Sequence, residues 1–283
     1  MAKVASQISD KSTRSQYFVQ PEYESILLAN HLADAKAILS LTGGTVVRSV
    51  PGRITRRVEL KSPDGSSLAA YLKCYERVLP WPYRWLGLPV GTESGLESLN
   101  EWCQILALRK LGFQTAAPIA AGWQQDIKTG TIRSFVMTVE IGGTVSGYDY
   151  WAASNGSQRR ALIRRIADLA RRFHQAGFIH KDFYLNHIFV AERAEELELT
   201  LIDLQRVLGP RTFRTRWLVK DFGSILFSLE KAGARRVGLL RLFKLYMSER
   251  PVGTAGKSFL RKSFKKAARL HRHKPKYGEP ESK

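Results

Sequence analysis

Five polar side chains, His180, Lys181, Asp182, Asn186 and His187, crowd into the segment GFIHKDFYLNHIFV, residues 177–190, with apolar residues on both shoulders. Three kinds of chemistry use such a string: a metal site, a stabilised turn, or a catalytic loop. A structural zinc site takes four nitrogen or sulfur ligands, and only His180 and His187 are at hand, with no cysteine beside them. A capped turn accounts for Asp182 but not for the second acid that follows. Past His187 comes TLIDLQR, residues 200–206, an apolar run that reaches Asp203. A loop aspartate at a strand mouth, a hairpin-sized gap and a second aspartate at a strand end can bring two carboxylates to one point. Phosphoryl transfer uses such a pair: one carboxylate orients or deprotonates the attacking hydroxyl, and the other holds the metal that bridges the phosphates.

The protein-kinase pattern, H-R-D-L-x-x-x-N followed by D-F-G, can be laid on these residues. His180-Lys181-Asp182 matches its first three places. His187 stands where the pattern has asparagine, and Asp203 matches the metal aspartate, with Leu204-Gln205 in place of Phe-Gly. The same scheme needs a lysine on a strand and an acid on the helix that follows. Lys73 lies inside the strand-like run LAAYLKCY, residues 68–75, and Glu97 and Glu101 follow on a predicted helix. A solvent-facing lysine is the ordinary reason for a charge in a strand, so Lys73 alone decides nothing. Lys73 holding the α- and β-phosphates while paired with Glu101 accounts for both charges.

The elements that must position these groups can be read in outline. Residues 41–60 carry β-branched runs broken at Pro51-Gly52, which predicts a hairpin, and SPDGS at 62–66 is a turn before the strand at 68–75. Three antiparallel strands are therefore expected to open the fold. Residues 77–89, rich in Trp, Pro and Arg, read as loop. A helix over 95–111 and strands around 119–123 and 132–141 follow, and Gly142-Gly143 breaks the last. The second half is helical. Residues 157–175 place Leu162, Ile166, Leu169 and Phe173 on one face and Arg159, Arg160, Arg164, Arg165, Arg171 and Arg172 outside. Asn155 or Ser157 is placed to cap that helix and Gly177 to end it. A short strand over 199–203 and helices near 220–229 and 237–248 complete the pattern. The implied organisation is an N-terminal extension (1–40), with a short helical piece over 23–39, an N-lobe (41–143), a C-lobe (144–250) and a basic C-terminal tail (251–283). The acid-free run over 257–276 reads equally as a disordered tail or a membrane-surface helix.

Composition narrows the partners. Among 283 residues, Lys and Arg outnumber Asp and Glu by 45 to 25, a formal net charge of +20. That balance favours a polyanion: nucleic acid, an anionic membrane surface or a phosphate-rich substrate. No apolar run is long enough to span a bilayer, and the first residues lack the apolar stretch of a secretory signal. The two cysteines, Cys74 and Cys103, fit a reducing compartment and are expected as small buried hydrophobes.

Together these segments resemble the lipopolysaccharide-kinase family, bacterial enzymes that phosphorylate heptose or Kdo sugars of the lipopolysaccharide inner core. The resemblance rests on PGRITRR (51–57), YLK (71–73), Glu101-Trp102, residues 177–190, LIDLQR (201–206) and RWLVKD (216–221), spread over residues 45–230. Family members also carry a histidine at the place of His187. The resemblance implies an α+β, two-lobed protein-kinase-like fold: an N-lobe antiparallel sheet plus one helix, and a mostly helical C-lobe. It implies ATP as phosphoryl donor, with Mg²⁺. Carried over residue by residue, it makes Asp182 the catalytic base, Asp203 the metal ligand, Lys73 the ATP lysine and Glu101 its partner. Asp221 becomes a structural acid beneath the catalytic loop. His187, whose imidazole is a poor Mg²⁺ ligand beside oxygen donors, touches a phosphate or orders Asp182. No G-x-G-x-x-G is present, and Gly52 with Arg53 takes part of the phosphate loop's place.

The implied partners are an acidic lipopolysaccharide-core glycolipid and, peripherally, the anionic cytoplasmic face of the inner membrane, ahead of nucleic acid. Only about eighteen positions separate Asp203 from Asp221 and no A-P-E follows, which leaves little room for a peptide-docking segment and favours a carbohydrate acceptor. Two alternatives stay open at this point: another small-molecule or protein kinase on the same fold, and a catalytically silent kinase-like scaffold that binds an anionic surface.

Overall fold

The computed structural model describes residues 3–9, 13–78, 96–193, 196–248 and 253–272. The chain divides into two units: Met1–Gly142 with Asp203–Arg206, and Gly143–Ile202 with Val207–Lys283.

The first unit is built on seven strands: β1 (Lys3–Ser9), β2 (Thr13–Val19), β3 (Thr45–Val50), β4 (Arg53–Lys61), β5 (Ser67–Val78), β7 (Pro118–Asp126) and β8 (Thr131–Val139), with a two-residue strand β6 (Gln114–Thr115) apart from them. They pair antiparallel in the order β1-β2-β7-β8-β5-β4-β3. Alternation along β8 splits the core, because successive side chains leave a strand on opposite faces. Phe135 and Met137 join Leu60 and Leu72 under α1 (Glu24–Ala29) and α2 (Ala35–Leu39). Val136 faces the other way, into a cluster with Leu99 and Trp102 of α3 (Glu97–Lys110).

Two corrections concern the start of the chain. The three-stranded opening at residue 41 is preceded by β2, which pairs with β7 along its whole length and buries Tyr17 and Val19; residues 13–39 are thus part of the sheet unit rather than an extension. The helical piece over 23–39 is two short helices, interrupted where His31 adopts φ 58° and Asp34 caps the second through the N–H of Ala37. The predicted burial of Cys103 is also overturned: it is exposed on α3, whereas Leu99 and Trp102 of the same helix are buried against the sheet. Cys74 is half-buried in β5, and burial pushes its thiol up to about 11. Most of the 77–89 loop lies outside the described residues.

The second unit holds β9 (Val145–Ser146), α4 (Gly147–Ala153), α5 (Gly156–Gln175), β10 (Ile188–Arg193), β11 (Glu196–Leu201), α6 (Thr215–Lys231), α7 (Arg236–Tyr246) and α8 (Thr254–His271). Asn155 and Gln158 form a reciprocal capping box at the start of α5, and Gly177, at φ 80°, turns the chain after it. The β10–β11 hairpin pairs Ile188 with Leu201, and the Ile202 N–H donates to the His187 carbonyl at 3.1 Å. The polar loop thus ends one hydrogen bond from the residue before Asp203.

Of the two readings of the basic run, disordered tail and membrane-surface helix, the structure removes the first. Over Thr254–His271 it is an ordered helix, with Gly256, Phe259, Ser263 and Ala267 buried at helical spacing. Phe259 packs on Phe222 of α6 and on Tyr246 of α7 at ring-centroid distances of 5.6 and 5.9 Å. Lysines and arginines occupy the outer face. Residues 273–283 of the predicted tail lie outside the described residues.

Candidate active site

Lys73 is in register with Val136 of β8, so its side chain emerges on the face that α3 covers. There its Nζ donates to Glu101 Oε1 at 2.7 Å and to Asp203 Oδ1 at 3.2 Å. Helical spacing explains Glu101: Leu99, Trp102, Ile105 and Leu108 anchor α3, and Glu101 is carried to the same buried side. Burial by itself would lower the pKa of Lys73, but the Glu101 and Asp203 carboxylates outweigh it and hold the pKa above the ordinary value. The amine is therefore a fixed cation, 15% exposed, beside a carboxylate that is 16% exposed.

Asp203 adopts φ 57°, a left-handed conformation uncommon outside glycine, asparagine and aspartate. The residues that replace Phe-Gly account for how it is held. Leu204 is buried. Gln205 accepts from the Tyr75 hydroxyl at 2.6 Å through Oε1, and its carbonyl accepts from Asn100 Nδ2 at 2.7 Å. The segment after Asp203 is thus tied to β5 and to α3, the two elements that carry Lys73 and Glu101. Sequence reasoning missed Tyr75, Asn100 and Gln205; the one available signal was the glutamine standing where the pattern has glycine.

Arg53 reaches the same carboxylate, with Nη2 at 3.8 Å from Asp203 Oδ1 and its guanidinium over the Tyr75 ring at 5.7 Å. Gly52 forms the β3–β4 turn at φ 76°, and a Cβ there would lie 3.0 Å from the Glu76 carbonyl, so the turn needs glycine. Pro51, Gly52, Arg53, Tyr75, Ser134 and Gln205 border a cavity of about 420 Å³. Of the predicted site residues, Lys73, Glu101, Asp203 and Arg53 form one charge cluster, and Gly52 lies at the cavity beside it.

Asp182 and His187 belong to the other unit. The loop is organised from beneath by Asp221 on α6, which is fully buried. Its carboxylate accepts the N–H groups of His180 at 2.6 Å and Lys181 at 2.7 Å. His174 Nε2 lies 3.3 Å from the same carboxylate, and His174 Nδ1 lies 2.9 Å from the Tyr246 hydroxyl. Lys181 takes φ 69°, a turn that these bonds to Asp221 hold in place. His187 Nδ1 donates to the carbonyl oxygen of Asp182 at 2.8 Å, and its ring stacks on His180 at 6.0 Å between centroids. His187 is thereby tied to the loop that carries Asp182. Asn186 is exposed. His174 and Tyr246, distant in sequence from the loop, were not legible as its supports.

The model of the lipopolysaccharide kinase (Kdo/WaaP) family matches residues 43–246. The chain belongs to this family. The match takes in both clusters described above. Among curated relatives in the family, a lipopolysaccharide core heptose(I) kinase WaaP of Escherichia coli is 32% identical over 53% of this chain and 59% of its own length. That of Escherichia coli strain K12 is 30% identical over 75% of this chain and 81% of its own length. A solved structure of WaaP in complex with acyl carrier protein superposes with a TM-score of 0.67 at 24% identity, covering 90% of this chain and 99% of that one. The fold is accordingly the α+β protein-kinase-like fold, with an antiparallel-sheet N-lobe and a mostly helical C-lobe.

Proposed function

We propose that the chain is an ATP-dependent kinase that phosphorylates a sugar hydroxyl, of heptose or Kdo, in the lipopolysaccharide inner core. The observation that carries this reading is Lys73, held charged between Glu101 and Asp203, the arrangement that phosphoryl transfer requires of a kinase N-lobe. Among the described residues no three His, Cys, Asp or Glu side chains gather into a metal-holding cluster. Asp203 as a single protein oxygen donor fits Mg²⁺, which is commonly held by one or two carboxylates together with substrate phosphates. When bound, Mg-ATP supplies the phosphoryl group and the divalent charge that offsets its oxygens.

The chain's own residues then have distinct tasks. Lys73 is the permanent cation for the α- and β-phosphates, and Glu101 fixes its direction. Gly52 lets backbone approach the phosphates, and Arg53 adds guanidinium donors beside Asp203. Asp182 accepts the proton of the acceptor hydroxyl on a carboxylate oxygen, while His187 and Asp221 hold its loop. Catalysis on this reading is positioning and electrostatic stabilisation.

No helix among the described residues is long and apolar enough to cross a membrane. The basic outer faces of α5 and α8 support a peripheral location on the anionic cytoplasmic leaflet of the inner membrane, where the acceptor's lipid is anchored.

Mixing the protein with Mg-ATP and a dephosphorylated core glycolipid should yield a new phosphate ester by mass spectrometry, and Asp182→Ala should lower the rate by about a thousandfold. No product from the wild type, or full activity in Asp182→Ala, overturns the assignment. The missing glycine-rich loop is what favours a silent scaffold instead. That alternative predicts no rise in unfolding midpoint with millimolar Mg-ATP, whereas binding to the native state must raise it.

A further inference from the structure

Trp217 stands in the first turn of α6, half-buried, with three cations around its ring. Lys220 Nζ lies 4.4 Å from the ring centroid, Arg216 Cζ 5.4 Å and Lys181 Nζ 5.9 Å. Arg216 and Lys220 come from α6 itself, and Lys220 sits one turn on from Trp217, where helix geometry makes side chains neighbours. Lys181 comes from the loop, adjacent to Asp182, and its backbone is fixed by the bond to Asp221.

More positive charge converges on this corner. The pKa of Lys266 on α8 is lowered, by burial first and then by Lys220 and Arg269, so cations press on one another here. The start of α6 adds the positive end of a helix dipole. The nearest acid on the helix, Asp221, is turned inward onto the loop's N–H groups. A solvated basic face spreads its charges and needs no aromatic ring; this one gathers them round an indole beside the loop that carries Asp182.

We propose that Trp217, with Lys181, Arg216 and Lys220 about it, is the platform for an acidic sugar of the acceptor. The sugar's C–H face lies on the indole and its carboxylate or phosphate sits among the cations. The indole is what favours a sugar over a bare lipid phosphate, because an ammonium or guanidinium cluster alone would serve the latter. The inference rests on the kinase reading above and names how its acceptor is recognised.

The test compares wild type, Trp217→Ala, Trp217→Phe and Lys220→Gln as full-length proteins with Mg-ATP and detergent-dispersed, dephosphorylated core glycolipid. Trp217→Ala should raise the glycolipid KM about tenfold, in the range of an aromatic anchor, with the ATP KM unchanged; Trp217→Phe should recover most of the loss. Lys220→Gln, on an exposed side chain, should raise the glycolipid KM about threefold in low salt and less as salt is added. A glycolipid KM within about twofold of wild type in both Trp217→Ala and Lys220→Gln overturns the proposal.

Saturation-transfer NMR with free Kdo and with glucose reads binding without activity. Wild type should favour the acidic sugar, and Trp217→Ala and Lys220→Gln should lose that preference. If wild type forms no phosphate ester on any core glycolipid, the kinase reading fails and this binding decides the platform by itself; no preference for Kdo overturns it. Weakened sedimentation of Trp217→Ala and Lys220→Gln with phosphatidylglycerol vesicles, at unaltered glycolipid KM, would assign the cluster to the membrane surface and overturn it equally.

Discussion

Asp203 and Asp221 each sit at the centre of a polar cluster, one in each unit, and their partners differ in kind. Asp203 is met by side chains, Lys73 and Arg53, and keeps some access to solvent. Asp221 has none, and two of its partners are backbone N–H groups. A cluster of side-chain charges can exchange partners: a lysine that now touches a carboxylate can also touch a phosphate. A carboxylate bonded to main-chain amides cannot exchange them without refolding the loop. The first arrangement suits a site that handles a ligand, and the second a scaffold that holds one conformation.

The largest expected effect probes the scaffold. Asp221→Ala leaves the His180 and Lys181 N–H groups and His174 buried without their acceptor, and should cost roughly 3–5 kcal/mol of stability, read from urea unfolding. No second substitution should restore it fully, because two of the three stranded groups are backbone N–H donors. An Asp221→Ala protein as stable as wild type would break the comparison.

The Asp203 cluster should behave in the opposite way. Lys73→Met alone strands Glu101, whose side chain is 4% exposed, and should lose both stability and transfer. Adding Glu101→Leu replaces a buried ion pair by apolar contact, an exchange often neutral for stability. The double variant should therefore regain most of the unfolding free energy while transfer stays down by about a hundredfold or more. Recovery of both, or of neither, would remove the distinction between the clusters. A smaller effect is expected from Tyr246→Phe, which deletes only the hydroxyl next to His174 Nδ1. It should cost about 1 kcal/mol and leave the ATP KM unchanged.

The same contrast explains what could be read from the chain in advance. Lys73, Glu101 and Asp203 were legible because a charge inside a strand, an acid on the next helix and an acid at a strand end are each locally odd. Asp221 came only through the family resemblance, since an aspartate in an amphipathic helix is locally ordinary. His174 and Tyr246 could not be found, because only folding brings them together. In β2, Tyr17 and Val19 are the buried positions of a mostly polar strand, and the pairing with β7 spans about a hundred residues. The burial pattern of α8 was hidden because three of its four buried residues, Gly256, Ser263 and Ala267, are small, while lysine and arginine dominate the composition. Charge there left a disordered tail and a membrane-surface helix equally open, although only one face of the helix is charged.

The smallest test concerns a third carboxylate, held by side chains like Asp203 but away from the charge cluster. Arg57 donates Nε and Nη2 to the two oxygens of Glu140, each at 2.8 Å, and the Tyr71 hydroxyl adds a third bond at 3.1 Å. The Arg57 bonds hold the Glu140 carboxyl below its ordinary value of 4.5 against the opposing effect of burial, and the Tyr71 bond lowers it further. A carboxylate whose folded-state pKa is depressed contributes stability that is present above the unfolded value and lost as pH falls through the folded one. The gap in unfolding midpoint between wild type and Glu140→Gln should therefore be flat from about pH 8 to pH 6 and should narrow below about pH 4.5. Because the pair is partly exposed, salt should shrink the gap at neutral pH. A gap that ignores both acid and salt would mean that Glu140 acts through shape rather than charge. In that case side-chain carboxylates of this unit would not all be the exchangeable kind that the Asp203 cluster represents.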